Sequence, residues 1–198
     1  MEDKLKTPLF VAFYTKGTGY QREVKRLKKS CKKFNLDLKI KEYSNLGSWK
    51  KNTLIMPSFI KRMMDKYRDR SIVYLDADAE VVSMPKLFFE LDCPIAVHQA
   101  VWSDYVEGNN SIVTCSGTMF LNNGDESRDI VERWGVECDA HPEVTDEVSL
   151  VKIMGNNFYN LPARYCKIFD YMEKVKDPVI LHHQASRRFK KKINRQGI

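Results

Sequence analysis

Ser71 to Pro85 reads SIVYLDADAEVVSMP, two apolar runs on either side of an acidic turn. Ile72-Val73-Tyr74-Leu75 is a short run of β-branched, aliphatic and aromatic residues, the composition of a buried strand. The run stops at Asp76-Ala77-Asp78, and a second apolar pair, Val81-Val82, follows. In open α/β sheets, ligands bind at the carboxyl ends of strands. Two carboxylates placed there, one small residue apart, suit a hard divalent cation. Mg(II) and Mn(II) take oxygen ligands and bridge carboxylates to a substrate diphosphate. Ala77 leaves room for such a substrate. The competing reading is a pair of solvated aspartates in a turn, and Asp-x-Asp alone is a weak signal. The surroundings must decide.

Upstream, Leu9-Phe10-Val11-Ala12-Phe13-Tyr14 is a buried first strand ending at Thr15-Lys16-Gly17. Gly17-Thr18-Gly19 lacks the Gly-x-x-x-x-Gly-Lys spacing of a phosphate loop. Tyr20, Val24, Leu27, Cys31 and Phe34 recur at helical spacing, and Leu36, Leu38 and Ile40 alternate like a second strand. This β-α-β unit predicts parallel strands and a right-handed crossover. Tyr43 to Asn52 reads as a loop in which Trp49 packs or covers, with packing slightly favoured. Pro57 suits a first helical position, and Phe59, Ile60, Met63, Met64 and Tyr67 make that helix's apolar face.

Downstream, Pro85 to Phe89 reads as a short helix. Ile95 to Val101 and Ile112 to Leu121 read as strands joined by a polar loop, Ser103 to Asn110. Cys115-Ser116-Gly117-Thr118 interrupts the second of them with small residues that permit close approach of a ligand or backbone. Asp125 to Trp134 is a helix, and Thr145 caps another running to Met154. Asn157 to Leu161 and Pro178 to Leu181 are late strands, the latter delivering His182-His183. Trp102 and Trp134 read as core residues, and His98 and His141 as ordinary histidines.

The chain has 198 residues, 43% of them hydrophobic, enough for one α/β domain with a real core. No apolar run approaches the roughly 20 residues of a membrane span, and the first strand is shorter than a signal-peptide core. A cytosolic (cytoplasmic) protein is expected. Its five scattered cysteines, without a Cys-x-x-Cys, fit free buried thiols. The net charge of +7 is concentrated between Arg22 and Lys33 and again in the last residues, Arg187 onward. Such clusters suit a diphosphate or a nucleic-acid backbone, or else a solvated helix face and a basic tail.

Taken in order, these stretches resemble the GT-A fold glycosyltransferases of the Asp-x-Asp type, which use nucleotide-diphospho-sugars. The carriers are Phe13-Tyr14-Thr15, Tyr20, Gly47 to Asn52 before Pro57-Ser58-Phe59-Ile60, and Leu75-Asp76-Ala77-Asp78. Ser116-Gly117-Thr118-Met119 with Asn122, Asp146-Glu147, and a late His complete the series. Nearly the whole chain is covered, and small phage-type and bacterial members are the nearest in pattern. The resemblance implies a single Rossmann-like domain over residues 1–185, with a mixed, mostly parallel sheet flanked by helices, and a basic tail over 186–198. It implies Mn(II) or Mg(II) on Asp76, Asp78 and His182, with His183 the alternative, since a one-residue slip reverses a strand's facing. It implies donor contacts at Tyr14, Thr15, Tyr20, Asp76, Ser116, Gly117, Arg187 and Lys190, with Arg188 also near the leaving diphosphate. It places Asp146 and Glu147 at the acceptor and transferred sugar as catalytic carboxylates. Met56 stands where such relatives often carry a lysine. UDP is the implied nucleotide, and the acceptor is a hydroxyl. The basic tail raises a hydroxymethylated base in DNA, beside a saccharide or protein hydroxyl. Two other classes remain open: a haloacid-dehalogenase-type phosphatase, and a nucleic-acid-binding module without catalysis. Against the phosphatase stand Glu80 two residues beyond Asp78 and the β-α-β unit ahead of the motif.

Overall fold

The computed structural model describes residues 7–104 and 111–195. The expected core role of the Trp102 side chain and most of the loop from Ser103 to Asn110 fall outside them, as does the Arg195 side chain. The elements in order are β1 (Leu9–Thr15), α1 (Tyr20–Lys33), β2 (Leu38–Tyr43), α2 (Trp49–Thr53), α3 (Met56–Lys66), β3 (Ile72–Leu75) and β4 (Ala79–Val81). They continue with β5 (Ile95–Val101), β6 (Ile112–Leu121), α4 (Asp125–Ala140), α5 (Asp146–Met154), β7 (Tyr159–Asn160), β8 (Lys167–Ile168), β9 (Ile180–His182) and α6 (Ala185–Arg195).

The main sheet runs β2-β1-β3-β6-β5-β7, and a three-stranded sheet runs β4-β9-β8. The β1-β2, β1-β3 and β5-β7 pairs are parallel, while β6 lies antiparallel to both neighbours. The expected mixed, mostly parallel sheet is therefore present, and the β-α-β unit is parallel as its sequence required.

The strands are apolar on both faces because both faces are covered. Leu9, Val11, Ile72, Tyr74, Ile95 and Val97 point into one core with Phe59, Ile60 and Met64 of α3 and Trp134 of α4. Phe10, Ala12, Val73, Leu75 and Phe120 point into the other, with Leu27 and Cys31 of α1. The period of two in β1 and β3 thus sends alternate residues to opposite helical layers. Trp134 is fully buried, as expected, and all five cysteines are free thiols, four of them buried. His98 bonds the Leu161 carbonyl, and His141 sits beside Glu137 and Glu143 at the surface.

Three local expectations need correction. The loop from Tyr43 to Asn52 ends in α2, because the Ser48 side chain accepts the Lys51 N–H and caps a short helix. Thr145 occupies the cap position of α5, but its side chain makes no capping bond. The stretch read as a basic tail is helical: Ala185 and Ile193 of α6 are buried, and Phe189 between them packs on Gly19. Among the described residues no helix is long and apolar enough to cross a membrane.

Candidate active site

The acidic turn lies where the chain leaves one sheet for the other. The main-chain N–H of Asp76 donates to the Gly117 carbonyl at 2.8 Å, and Ala79 N–H closes the turn on the Asp76 carbonyl at 2.9 Å. β4 then pairs antiparallel with β9, Ala79 opposite His182. That register sets His182 beside the turn and carries Asp78 and His182 into one buried cluster.

Asp76, Asp78 and His182 each offer a ligand atom, all within 4.8 Å of one another. His182 Nδ1 stands 3.9 Å from Asp78 Oδ1, and its Nε2 is 2.8 Å from the Thr118 hydroxyl. His183 faces the other way and meets Glu80 at 2.8 Å. Glu80 is held there, 3.8 Å from Arg26, and does not line the cavity. Alternation along β9 therefore brings His182, not His183, to the cluster. Around it opens a cavity of about 340 Å³, a size suited to a small-molecule ligand.

β6 supplies the opposite wall by a break in register. Val97 pairs with Met119 but His98 with Cys115, so Ser116, Gly117 and Thr118 bulge out of the β5 ladder. The bulge leans toward β3, where Thr118 pairs with Leu75. A Cβ on Gly117 would stand 2.9 Å from both Asp76 Oδ2 and His182 Cε1. Only glycine admits both side chains at this separation, as the small residues of the sequence had suggested.

Burial sets the electrostatics. It is the largest cause raising Asp76, to about 6, with the charge of Asp78 adding to the shift. Tyr74 donates its hydroxyl to Asp76 Oδ1 at 2.7 Å. Burial also opposes the charge on Asp78, yet His182 and the Ala185 N–H, 2.6 Å from Oδ2, outweigh it and hold the carboxyl below its ordinary range. Asp146 and Glu147, in the first turn of α5, face the same cavity. Burial raises both to about 7, and Asp146 and Asp76 further raise Glu147. Trp134 fixes Asp146 by donating its indole N–H to the Asp146 carbonyl at 2.7 Å. Four carboxylates around one cavity repel each other strongly unless protonated or met by a cation. The donor set, two carboxylates and an imidazole in a cradle cleared by Gly117, fits a divalent metal such as Mn(II) or Mg(II).

Tyr14, Thr15, Tyr20, Ser116 and Gly117 line this cavity together with the carboxylates. The three cations expected near it divide. Lys190 Nζ lies 4.5 Å over the ring of Trp49, a wall residue, without itself lining the cavity. Arg187 is instead ion-paired to Asp170 and stacked on Tyr171, and Arg188 is bound to Glu23. Neither arginine lines the cavity.

Several wall residues escaped the sequence reading. Trp49, weighed toward packing, forms part of the wall and donates its indole N–H to the Tyr20 hydroxyl at 3.1 Å. Gln184 and Ser186 line the wall at the start of α6, and Met56, Asn52 and Thr53 contribute from α2 and α3. Tyr74 had a signal: it precedes Asp76 by two, so both share one face of the strand.

No family profile matches this chain, and no curated protein matches it. Solved structures do. A glycosyltransferase involved in the glycosylation of the major capsid of PBCV-1 aligns with a TM-score of 0.69 at 16% identity, covering 96% of this chain and 100% of the other. The glycosyltransferase GlyE of Streptococcus pneumoniae TIGR4 aligns at 0.62 and 16% identity, and its apo form at 0.63 and 18%. Each alignment covers 89% of this chain, which spans about half of GlyE: 55% and 54% of the two chains. At these identities the likeness is one of fold, and the fold is that of glycosyltransferase structures.

Proposed function

We propose that this chain is a metal-dependent glycosyltransferase that moves a sugar from a nucleotide-diphospho-sugar, UDP-linked, to an acceptor hydroxyl. The observation that carries the reading is the convergence of Asp76, Asp78 and His182 with Asp146 and Glu147 in one cavity of a glycosyltransferase-like fold.

Asp76, Asp78 and His182 would hold Mn(II) or Mg(II), which supplies positive charge to the departing diphosphate. Tyr74 and Thr118 orient these ligands through their hydroxyls. Lys190, held over the wall residue Trp49, would add a second positive charge for the leaving group. Tyr14, Thr15 and Tyr20, at the end of β1 and the start of α1, offer the wall for nucleobase and ribose. The bulge at Ser116-Gly117 lets the donor approach closely. Asp146 or Glu147 takes the acceptor proton, a role that contributes about 10²–10⁴-fold to rate. Values near 7 suit that task at neutral pH, because a base must be ionised yet retain proton affinity.

The test is a panel of nucleotide-sugars with Mn(II), read as donor hydrolysis without acceptor. Hydrolysis of one UDP-sugar that stops with chelator and in Asp78→Asn is the expected result. Hydrolysis of simple phosphate esters, with every nucleotide-sugar left intact, would replace the reading with a phosphatase.

A further inference from the structure

The charge of this protein is polarised in a way that donor chemistry does not use. α1 and α6 together carry thirteen basic residues and one acidic one. The rest of the chain carries twenty basic and twenty-five acidic residues, so the net positive charge resides wholly in these two helices.

The helices are neighbours. Phe189 of α6 packs on Gly19, and its ring lies 5.7 Å from that of Tyr20. Arg188 reaches Glu23 at 3.0 Å. Glu23, the single acid, is 5% exposed and is also bound by Arg26, so it is neutralised beneath the surface. Every exposed position of α1 is basic: Arg22, Lys25, Lys28, Lys29, Lys32 and Lys33. Among the described residues none of these six is in an ion pair. On α6, Lys190, Lys191 and Lys192 are exposed as well. None of these exposed cations lines the cavity.

We infer that the adjoining outer faces of α1 and α6 form a docking surface for nucleic acid. The stripe Arg22, Lys25, Lys29, Lys32 advances three or four residues at a time, about 5 Å per step along the helix. An evenly spaced row over about 15 Å matches a uniformly charged polymer rather than one acidic residue or a short acidic peptide. Binding then comes from phosphate contacts and release of counterions. A membrane surface fits less well: the exposed positions of both helices hold no apolar residue to enter lipid, and the apolar residues of α6 are turned inward.

The inference does not rest on sugar transfer, and its test does not read it. Fluorescence anisotropy of a labelled mixed-sequence oligonucleotide, single-stranded and duplex, would be followed across a salt series. Wild-type protein should bind with a log–log salt slope indicating that several phosphates are met. The triple variant Lys25→Glu, Lys29→Glu, Lys32→Glu should bind at least about tenfold more weakly and flatten the duplex slope by roughly 0.9 for each phosphate no longer neutralised. These side chains are exposed on a helix surface, so the fold, checked by melting, should persist. Charge reversal at Lys61 and Lys66 of α3 serves as the control and should change affinity less than about twofold. No oligonucleotide binding at low salt would overturn the inference. So would equal losses in the control, or binding to vesicles containing phosphatidylserine but not to either oligonucleotide.

Discussion

At Gly117 an added methyl group would meet Asp76 Oδ2 and His182 Cε1, each at 2.9 Å. Those approaches are shorter than carbon normally tolerates, so a side chain or the bulge must shift. Gly117→Ala should cost about 1–3 kcal/mol by overpacking, and it should also spread the ligand atoms. Urea denaturation reads the first effect, and Mn(II) titration by electron paramagnetic resonance the second; unchanged Mn(II) affinity would contradict the cradle. His182 and His183 make a sharper pair. The sequence could not choose between them, because a strand's facing depends on its register, and the partner, β4, lies about a hundred residues away. With Ala79 opposite His182, the choice is made by β4. His182→Ala should therefore raise the Mn(II) requirement far more than His183→Ala, whose imidazole meets Glu80. Thr118→Val keeps shape and removes the hydroxyl at His182 Nε2, and a loss of about 10–100-fold in metal affinity is expected with little change in melting temperature.

Elements differ in how plainly they were written. β3, β5 and β6 were legible because buried strands are continuous apolar runs bounded by polar turns, and α3 because Phe59, Ile60 and Met64 repeat along one face. The interruption of β6 by small residues at Cys115 to Thr118 was legible too, but the break in register that it carries was not. α6 was not. Its run of lysines and arginines hid Ala185, Phe189 and Ile193, which recur every four residues and form its inner face. That helix matters to the site, since its first N–H binds Asp78, Gln184 and Ser186 line the cavity, and Lys190 covers Trp49. Phe189→Ala removes the ring that packs α6 on Gly19 and Tyr20. It should lower stability by about 1–3 kcal/mol and weaken UDP binding together, read by melting and by calorimetric titration. Weakened stability with full UDP affinity would separate α6 from the donor site. Trp134 was read as core and is core, yet its indole N–H also fixes Asp146. Such a bond joins two helices and leaves no trace in spacing.

Across the whole molecule most acids lie exposed at the surface, and the carboxylates of the cavity are the exception. The interior carboxylates make metal-free stability depend on pH. Asp146 and Glu147 stand at about 7 in the fold against ordinary values of 3.8 and 4.5. A raised carboxyl value means that protonation favours the folded state. Their contribution is complete below the ordinary values and is lost as pH rises through about 7. The metal-free protein should therefore melt lower at about pH 8 than at about pH 6, and Asp146→Asn should flatten that difference. An equal slope in the variant would show that Asp146 titrates normally. Transfer runs the opposite way: a base of this value works when ionised, so activity should fall as pH drops below about 7.

The most direct test of the central claim is the melting temperature of the protein with UDP, measured with Mn(II) and again with chelator. Binding to the folded state alone stabilises it by about 2.7 kcal/mol at a hundredfold excess over the dissociation constant. With Asp76, Asp78 and His182 holding the metal that meets the diphosphate, UDP plus Mn(II) should raise the melting temperature clearly, and UDP with chelator only slightly. Equal shifts with and without metal, or no shift with any nucleoside diphosphate and any divalent cation, would contradict the account.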